Sequence, residues 1–379
     1  MKKLRVMHIF GNFGPGGAEM GAIRLISSLQ KDDITHSVCS IKSDVYMKRH
    51  LPEVVRCYSL GIDGSRQTVF VKIGKLLRNT KTDIAHVNNL APWFDVALAS
   101  RIAGCKCVET FHNIEEKIIT FPVSRRLILG AAFLLTNCIT AVSYSARDRL
   151  EKLSGIKKDQ IRIIMNGVDT NVFKPVFSEA PKAELRAALK LPAKGFLVGC
   201  VGALRPVKDH EGLLKAFAVL KARTDDPVST ESYLVLVGHG PLVPELRVMS
   251  NQLKIQDRVL FMGRRDDVEK ILRVTDVFVL NSKTEGMSYA ILEAMSSGIP
   301  IVATDVGANR ELIRQGVEGY LYKPGDLEGL VNYLLTLIDD KPLVAKMGGA
   351  ARKKIVENYS FEGMVSAYER LYREVAAKG

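Results

Sequence analysis

The chain has no Cys-x-x-Cys and no His/Cys cluster at zinc-ligand spacing. That excludes a zinc finger, a zinc ribbon or a thioredoxin-type redox centre. Its six cysteines, at 39, 57, 105, 107, 138 and 200, scatter through strand-like apolar runs. This is the usage of buried, reduced thiols in a reducing, cytoplasmic compartment. No apolar run reaches the ~18–20 residues of a membrane-spanning helix. The most apolar stretch, Leu127 to Val142, is interrupted by Thr136, Asn137 and Cys138, and reads as a buried helix followed by a strand. The start, Met1-Lys2-Lys3-Leu4-Arg5-Val6, opens into a strand pattern and not a secretory leader. Low-complexity tracts are lacking, and so is any Asp-x-Asp triplet, which leaves a divalent cation no obvious carboxylate holder.

What is present is ordinary globular material, 47% apolar and 25% charged. A chain of 379 residues exceeds one common core, so two domains of roughly 150–200 residues are expected. The net charge of +13 is uneven: residues 1–176 hold 26 Lys and Arg against 15 Asp and Glu, the remainder 28 against 26. Lys72, Lys75, Arg78 and Lys81 recur at helical spacing in the first half. Taken singly, such clusters read as solvated helix faces. The asymmetry between halves points to an anionic partner, such as a membrane surface or an acidic acceptor. Nucleic acid fits poorly, because neither an aromatic-interleaved basic strand nor a recognition-helix pattern accompanies the charge.

Strand and helix patterns alternate through the first half, beginning with a strand at Leu4–Phe10 and a helix at Ala18–Leu29. The alternation breaks from Phe173 to Lys194, then restarts with strands at Phe196–Val201, Tyr233–Val237 and Val277–Leu280. Alternation of this kind predicts right-handed βαβ units and two doubly wound parallel sheets in tandem, sharing a cleft at their strand ends. Domains of 1–175 and 176–360 follow. The tail, Phe361 to Lys378, is a helical pattern with Met364, Tyr368, Leu371, Tyr372 and Val375 on one face. It suits either closing the second domain or crossing back, over about 361–379, onto the first.

Two carboxylates carry the chemistry. Glu285 and Glu293, with seven residues between them, lie in a loop and a helix that follow the apolar strand Val277–Leu280. Amides at a helix start attract an anion, while carboxylates grip hydroxyls. A ligand that satisfies both is a phosphate joined to a sugar, which points to a sugar nucleotide. The loop Gly11-Asn12-Phe13-Gly14-Pro15-Gly16-Gly17-Ala18-Glu19 lets backbone approach a phosphate closely. It is neither a dinucleotide fingerprint, since Glu19 takes the third glycine position, nor a P-loop. In the second half, Arg205 and Lys208 stand between a buried strand and a helix, a fork and a point charge suited to phosphate oxygens.

Taken in order, these residues resemble the retaining glycosyltransferases of family 4 (glycosyl transferases group 1), with GT-B architecture. The resemblance covers nearly the whole chain: Gly16-Gly17-Ala18-Glu19, His112, Ser143, Asn166-Gly167-Val168-Asp169, Lys208, Gly238-His239-Gly240-Pro241, Glu285 with Glu293, Gly298-Ile299-Pro300, and Val306-Gly307 with Glu311. It implies two Rossmann-like domains, an N-terminal acceptor domain and a C-terminal domain for the nucleotide-sugar donor. It places Glu293 on the ribose, Glu285 with Gly286, Met287 and Ser288 at the donor sugar and diphosphate, and Gly263 with the nucleotide. Lys208 and Arg205 would neutralise the diphosphate, Gly16 and Gly17 would complete the cradle, and His112 would touch the transferred sugar. One departure is Ala203, where the family commonly has an arginine five residues before the lysine; Arg205 points the same way from the strand's end.

The implied activity is transfer of a sugar from a nucleotide diphosphate sugar, uridine by default and guanosine as competitor, to an acceptor hydroxyl with retention. With no cofactor and no metal, cations and a helix start take the developing charge. Front-side attack is expected, since no side-chain nucleophile faces the opposite side. Glu115 and Glu116 are candidates for acceptor contacts. A lipid-linked or envelope glycan made at the inner face of a membrane is the expected acceptor, with the enzyme cytoplasmic or peripheral. A nucleotide-sugar epimerase on the same fold, or a non-catalytic polyanion-binding partner subunit, are the rival readings. Release of product from donor alone would mark the epimerase, and absence of nucleotide binding the subunit.

Overall fold

The computed structural model describes residues 3–378 except 32, 65–68, 89, 113–122, 177 and 225–230. In chain order the first elements are β1 (Leu4–Phe10), α1 (Gly17–Leu29), β2 (Ile34–Ser40), β3 (Arg56–Ser59), α2 (Val69–Asn79) and β4 (Ile84–Val87). There follow α3 (Trp93–Ala103), β5 (Lys106–Phe111), α4 (Val123–Leu134), β6 (Cys138–Ala141), α5 (Tyr144–Ser154) and β7 (Ile161–Ile163). The next are α6 (Glu179–Ala188), β8 (Phe196–Val201), α7 (His210–Thr224), β9 (Ser232–Val237), α8 (Val243–Gln252), β10 (Val259–Gly263), α9 (Val268–Leu272) and β11 (Val277–Leu280). The last are α10 (Tyr289–Ser296), β12 (Ile301–Thr304), α11 (Asn309–Leu312), β13 (Gly319–Tyr322), α12 (Leu327–Asp339), α13 (Lys341–Asn358) and α14 (Phe361–Ala377).

The chain forms two compact units, one of Met1–Asn166 with Glu362–Gly379 and one of Gly167–Phe361. The first holds a seven-stranded sheet in the order β3-β2-β1-β4-β5-β6-β7, the second a six-stranded sheet in the order β10-β9-β8-β11-β12-β13. β1 pairs in parallel with both β2 and β4, and β8 with both β9 and β11. The order therefore reverses beside β1 in one sheet and beside β8 in the other. At such a switch point the loops leaving the strands' carboxyl ends diverge and open a crevice. Strands β4, β11 and β12 are buried along their whole length, as central parallel strands are when helices cover both faces, and the polar members His86 and Thr304 are hydrogen-bonded.

The division falls at Asn166/Gly167 rather than at 175, because residues 167–175 are tied into the second unit. Val168 bridges Ser360, so the chain enters and leaves this unit side by side. The Arg352 guanidinium donates to the carbonyls of Phe173 (2.7 Å) and Thr170 (2.9 Å), and Ser296 Oγ donates to Phe173 O at 2.6 Å. Buried carbonyls are costly to leave unpaired, so this segment stays with the helices that satisfy it.

Helix α14 packs in the first unit. Its buried residues are Met364, Tyr368, Leu371, Tyr372 and Val375, the face that the periodicity marks. Ion pairs hold its polar edge: Arg373 to Asp33 and Arg162 to Glu374, each at 2.8 Å, and Lys31 to Glu369 at 3.0 Å. Beneath it lies a polar layer. His86 Nδ1 meets Tyr372 OH at 2.7 Å, His86 Nε2 meets Thr110 Oγ1 at 2.7 Å, and His8 Nε2 meets His36 Nδ1 at 3.1 Å.

Helices α6, α12 and α13 and strand β3 extend the set that hydrophobic periodicity identifies. The caps of α12 and α13 are nonetheless written locally. Asp326 accepts from Gly329 N at 2.9 Å and Asp340 from Leu343 N at 2.8 Å, the side-chain N-cap that aspartate favours. Among the described residues, no helix is long and apolar enough to cross a membrane. All six cysteines are free; Cys39, Cys107 and Cys200 are buried, and the other three are partly so. Burial pushes the Cys39 and Cys200 thiols up to about 12, so they stay protonated and inert.

Candidate functional site

Lys208 and Glu285 come together at the switch point of the second sheet. Lys208 ends a 3-10 turn, Pro206–Lys208, in the loop leaving β8; Glu285 lies in the loop leaving β11. Because β8 and β11 are neighbours, with Val198 opposite Val277, residues far apart in sequence share one crevice. Lys208 Nζ pairs with Glu285 Oε1, and Ser282 Oγ donates to the same oxygen at 2.6 Å. Both partners are largely withdrawn from solvent, at 21% and 10% side-chain exposure. A withdrawn ion pair is held by geometry and extra hydrogen bonds more than by net Coulomb gain. Here one carboxylate oxygen takes a lysine and a serine at once.

The loop of Glu285 is buttressed from β12. Thr304 Oγ1 donates to Ser282 O at 2.6 Å, Asn309 Nδ2 to Thr304 O at 2.9 Å, and the Ala308 amide to Gly286 O at 3.0 Å. Gly307 makes that contact possible. Its φ is +52°, and a Cβ there would stand 1.9 Å from Glu285 O. Gly307→Ala is therefore expected to push the Glu285 loop aside, at about 1–3 kcal/mol of stability, and to weaken donor binding. Unchanged affinity and unfolding midpoint in that variant would show that the loop tolerates the shift.

Beyond Glu285, Gly286 and Met287 lead to Ser288, which caps α10 by accepting from Ile291 N at 3.4 Å. The first turn of α10 carries no acidic residue, leaving its positive dipole end uncompensated by side chains there. Glu293 lies on the same helix and is buried. On the β9 side, Gly238 has φ +143°, and a Cβ would stand 1.8 Å from Gly202 O, so the loops after β8 and β9 interleave backbone on backbone. Gly263 ends β10 with φ +66° and accepts from the Gly238 amide at 2.8 Å. Arg205 starts the 3-10 turn and is exposed; no described carboxylate pairs with its guanidinium. His210, just beyond Asp209, is buried and lowered to about 4, first by burial and then by the charge of Lys208.

Gly16, Gly17 and His112 belong to the first unit. Gly16 caps α1 with extended backbone (φ −167°) and is exposed, and the Glu19 carboxylate folds back against it. His112 follows β5. Its Nε2 is enclosed and makes no hydrogen bond, and burial lowers the ring to about 4. At neutral pH it is an uncharged imidazole, able to donate or accept but not to supply charge. Glu115 and Glu116 lie outside the described residues. Among those described, no group of three or more His, Cys, Asp or Glu side chains gathers in a metal-binding arrangement.

Sequence reasoning passes over Ser282 and Thr304, which set the Glu285 carboxylate and its loop. Ser282 carries a usable local signal, a hydroxyl three residues before the glutamate at a strand's end. Thr304 carries none, because its role depends on β12 lying beside β11.

Comparison with known proteins bears on the family and the fold. The model for glycosyl transferases group 1 matches residues 181–354, and that for glycosyltransferase family 4 matches residues 15–172. The chain is 29% identical over 307 residues to the N-acetyl-alpha-D-glucosaminyl L-malate synthase of Bacillus anthracis, covering 80% of this chain and 78% of that one. It is likewise 29% identical over 309 residues to the UDP-Gal:alpha-D-GlcNAc-diphosphoundecaprenol alpha-1,3-galactosyltransferase of Escherichia coli, with the same coverage. The crystal structure of Anabaena HepE in complex with UDP superposes with a TM-score of 0.80 at 24% identity, covering 98% of this chain and all of that one. Two parallel-sheet Rossmann-like units in this order are the GT-B fold. The chain belongs to the group 1, family 4 glycosyltransferases, and its activity is glycosyl transfer.

Proposed function

We propose that this glycosyltransferase takes a sugar from a uridine diphosphate sugar, with guanosine diphosphate the competing carrier, and moves it to a hydroxyl of a lipid-linked or glycan acceptor in cell-envelope synthesis. The observation that carries the reading is the Lys208–Glu285 pair at the switch point, beside the start of α10. In the donor complex Lys208 faces the diphosphate, joined by Arg205 and the amides of Gly286, Met287 and Ser288. Glu285 accepts from a hydroxyl of the donor sugar, and Glu293 from the ribose. Gly263 borders the nucleotide. A uridine carrier is supported by the UDP bound to HepE and by the UDP-Gal named for the E. coli relative. The diphosphoundecaprenol in that relative's name supports a lipid-linked acceptor.

Transfer proceeds with retention and without a metal ion. The bond from the anomeric carbon to the phosphate oxygen breaks, and the acceptor oxygen bonds to that carbon on the same face. The acceptor's proton passes to the departing phosphate oxygen. Negative charge grows on the diphosphate as the bond breaks, and Lys208 with the α10 start stabilises it most at that point.

UDP at 100 times its dissociation constant is expected to stabilise the protein by ~2.7 kcal/mol, read as a rise in the second unit's melting temperature. GDP giving the larger rise would transfer the reading to a guanosine donor, and a shift from neither would overturn it. Product linkage by NMR is expected to keep the donor's anomeric configuration, and turnover is expected to persist in EDTA. An inverted product, or activity abolished by EDTA, would overturn those parts. The basic balance of residues 1–176 supports peripheral docking on the anionic inner face of a membrane from the cytoplasm. Co-sedimentation with phosphatidylserine vesicles that fades as salt rises is the expected outcome; binding equally well to neutral vesicles would count against it.

A further inference from the structure

Lys208 is held by a chain of buried side chains that begins three strands away from it. Tyr322 closes β13, at 4% exposure, and its hydroxyl donates to Asn281 Oδ1 at 2.7 Å. Asn281, at 2% exposure just past the end of β11, donates through Nδ2 to Asp209 O at 2.8 Å and to Asp209 Oδ2 at 3.1 Å. Asp209 adjoins Lys208 and sits in left-handed backbone (φ +47°, ψ +47°). That conformation is uncommon outside glycine and is kept only where neighbours over-determine it. The Lys283 amide also donates to Val207 O at 2.8 Å, stitching the same turn to the loop of Glu285. The Asn281 amide thus uses its oxygen and its nitrogen in opposite directions, which fixes its orientation and spans the gap from β13 to the turn.

We propose that Tyr322 and Asn281 are positioning residues: through Asp209 they fix the turn that aims the Lys208 ammonium at the leaving diphosphate. The inference rests on the donor-site reading of Lys208. A cation that must meet charge only as it develops gains from being pre-aimed, and misplacement of about 1 Å can cost up to about 100-fold in rate. Tyr322 contributes its hydroxyl to this purpose, because its ring alone would fill the core without an acceptor.

The test is a double-mutant cycle between Tyr322→Phe and Lys208→Gln, read as kcat and donor KM. Tyr322→Phe is expected to lower kcat about 10- to 100-fold with donor KM within about threefold, and to add little further loss in the Lys208→Gln background. Asn281→Asp keeps an acceptor for Tyr322 but sets a carboxylate against Asp209. It is expected to reproduce the kcat loss, and it covers the case in which Tyr322→Phe lowers folding yield. Full additivity of Tyr322→Phe with Lys208→Gln, or an unchanged kcat in both relay variants, would overturn the positioning role while leaving the donor site intact. Normal turnover in Lys208→Gln alone would overturn the donor-site reading itself.

Discussion

Replacing Lys208 by alanine is expected to lower kcat by about 10²–10³-fold, the cost of removing one preorganised donor from a site of developing charge. The expectation follows from geometry. Lys208 is the cation fixed beside Glu285 at the switch point, whereas Arg205 is exposed at the rim of the same loop. Arg205→Ala is accordingly expected to cost less than Lys208→Ala, chiefly in donor KM. Glu285→Gln keeps a side chain of the same shape but removes the charge that holds Lys208, and its kcat falls with that of Lys208→Ala. The unfolding midpoint separates catalysis from folding: loss of turnover with a retained cooperative transition marks a site effect, and near-normal turnover in Lys208→Ala would sink the assignment.

The first unit is expected to lose stability steeply between about pH 6.5 and 4. Burial lowers His36 to about 4 and His86 to about 3, and lowers His8 as well, with His86 and His36 adding to its shift. In the unfolded chain these imidazoles take up protons near 6.5. Between the two values the unfolded state binds more protons, so stability is complete above about 6.5 and declines as pH falls. The loss is on the order of 3 kcal/mol each for His36 and His86 by pH 4. The rings lie 5.2 Å (His8 to His36) and 5.1 Å (His8 to His86) apart, too close to carry charge together under α14. Chemical denaturation of the wild type and His36→Gln across this range checks it. The variant's stability is expected to fall with a slope shallower by about one proton, and identical slopes would rule out His36 as a contributor.

The split between readable and unreadable parts follows the range of the forces involved. Val277–Leu280 and Ile301–Thr304 are legible as strands because central parallel strands are buried on both faces and so are predominantly apolar. The face of α14 is legible from Met364 through Val375 because a helix buries one stripe. Which sheet that stripe covers is not legible, since either apolar surface would accept it. His86, Thr110 and Asp33 decide for the first unit, and each lies hundreds of residues from its partner in sequence. The boundary at Asn166 was hidden in the same way, because Arg352, which holds Thr170 and Phe173, belongs to α13.

The candidate site divides along the same line. The sequence by itself determined where the candidate side chains stand in the chain: Lys208 beyond one buried strand, Glu285 and the cap of α10 beyond another. These are local patterns, set by strand ends and helix starts. Only the tertiary structure decided that the two loops meet, because the order β9-β8-β11-β12 sets β8 beside β11 and pairing between strands distant in the chain leaves no local mark. It also decided that Lys208 pairs with Glu285, and that a hydrogen-bonded path from β13 through Asn281 reaches the turn that carries it. Chemistry is written residue by residue; convergence is written by the sheet.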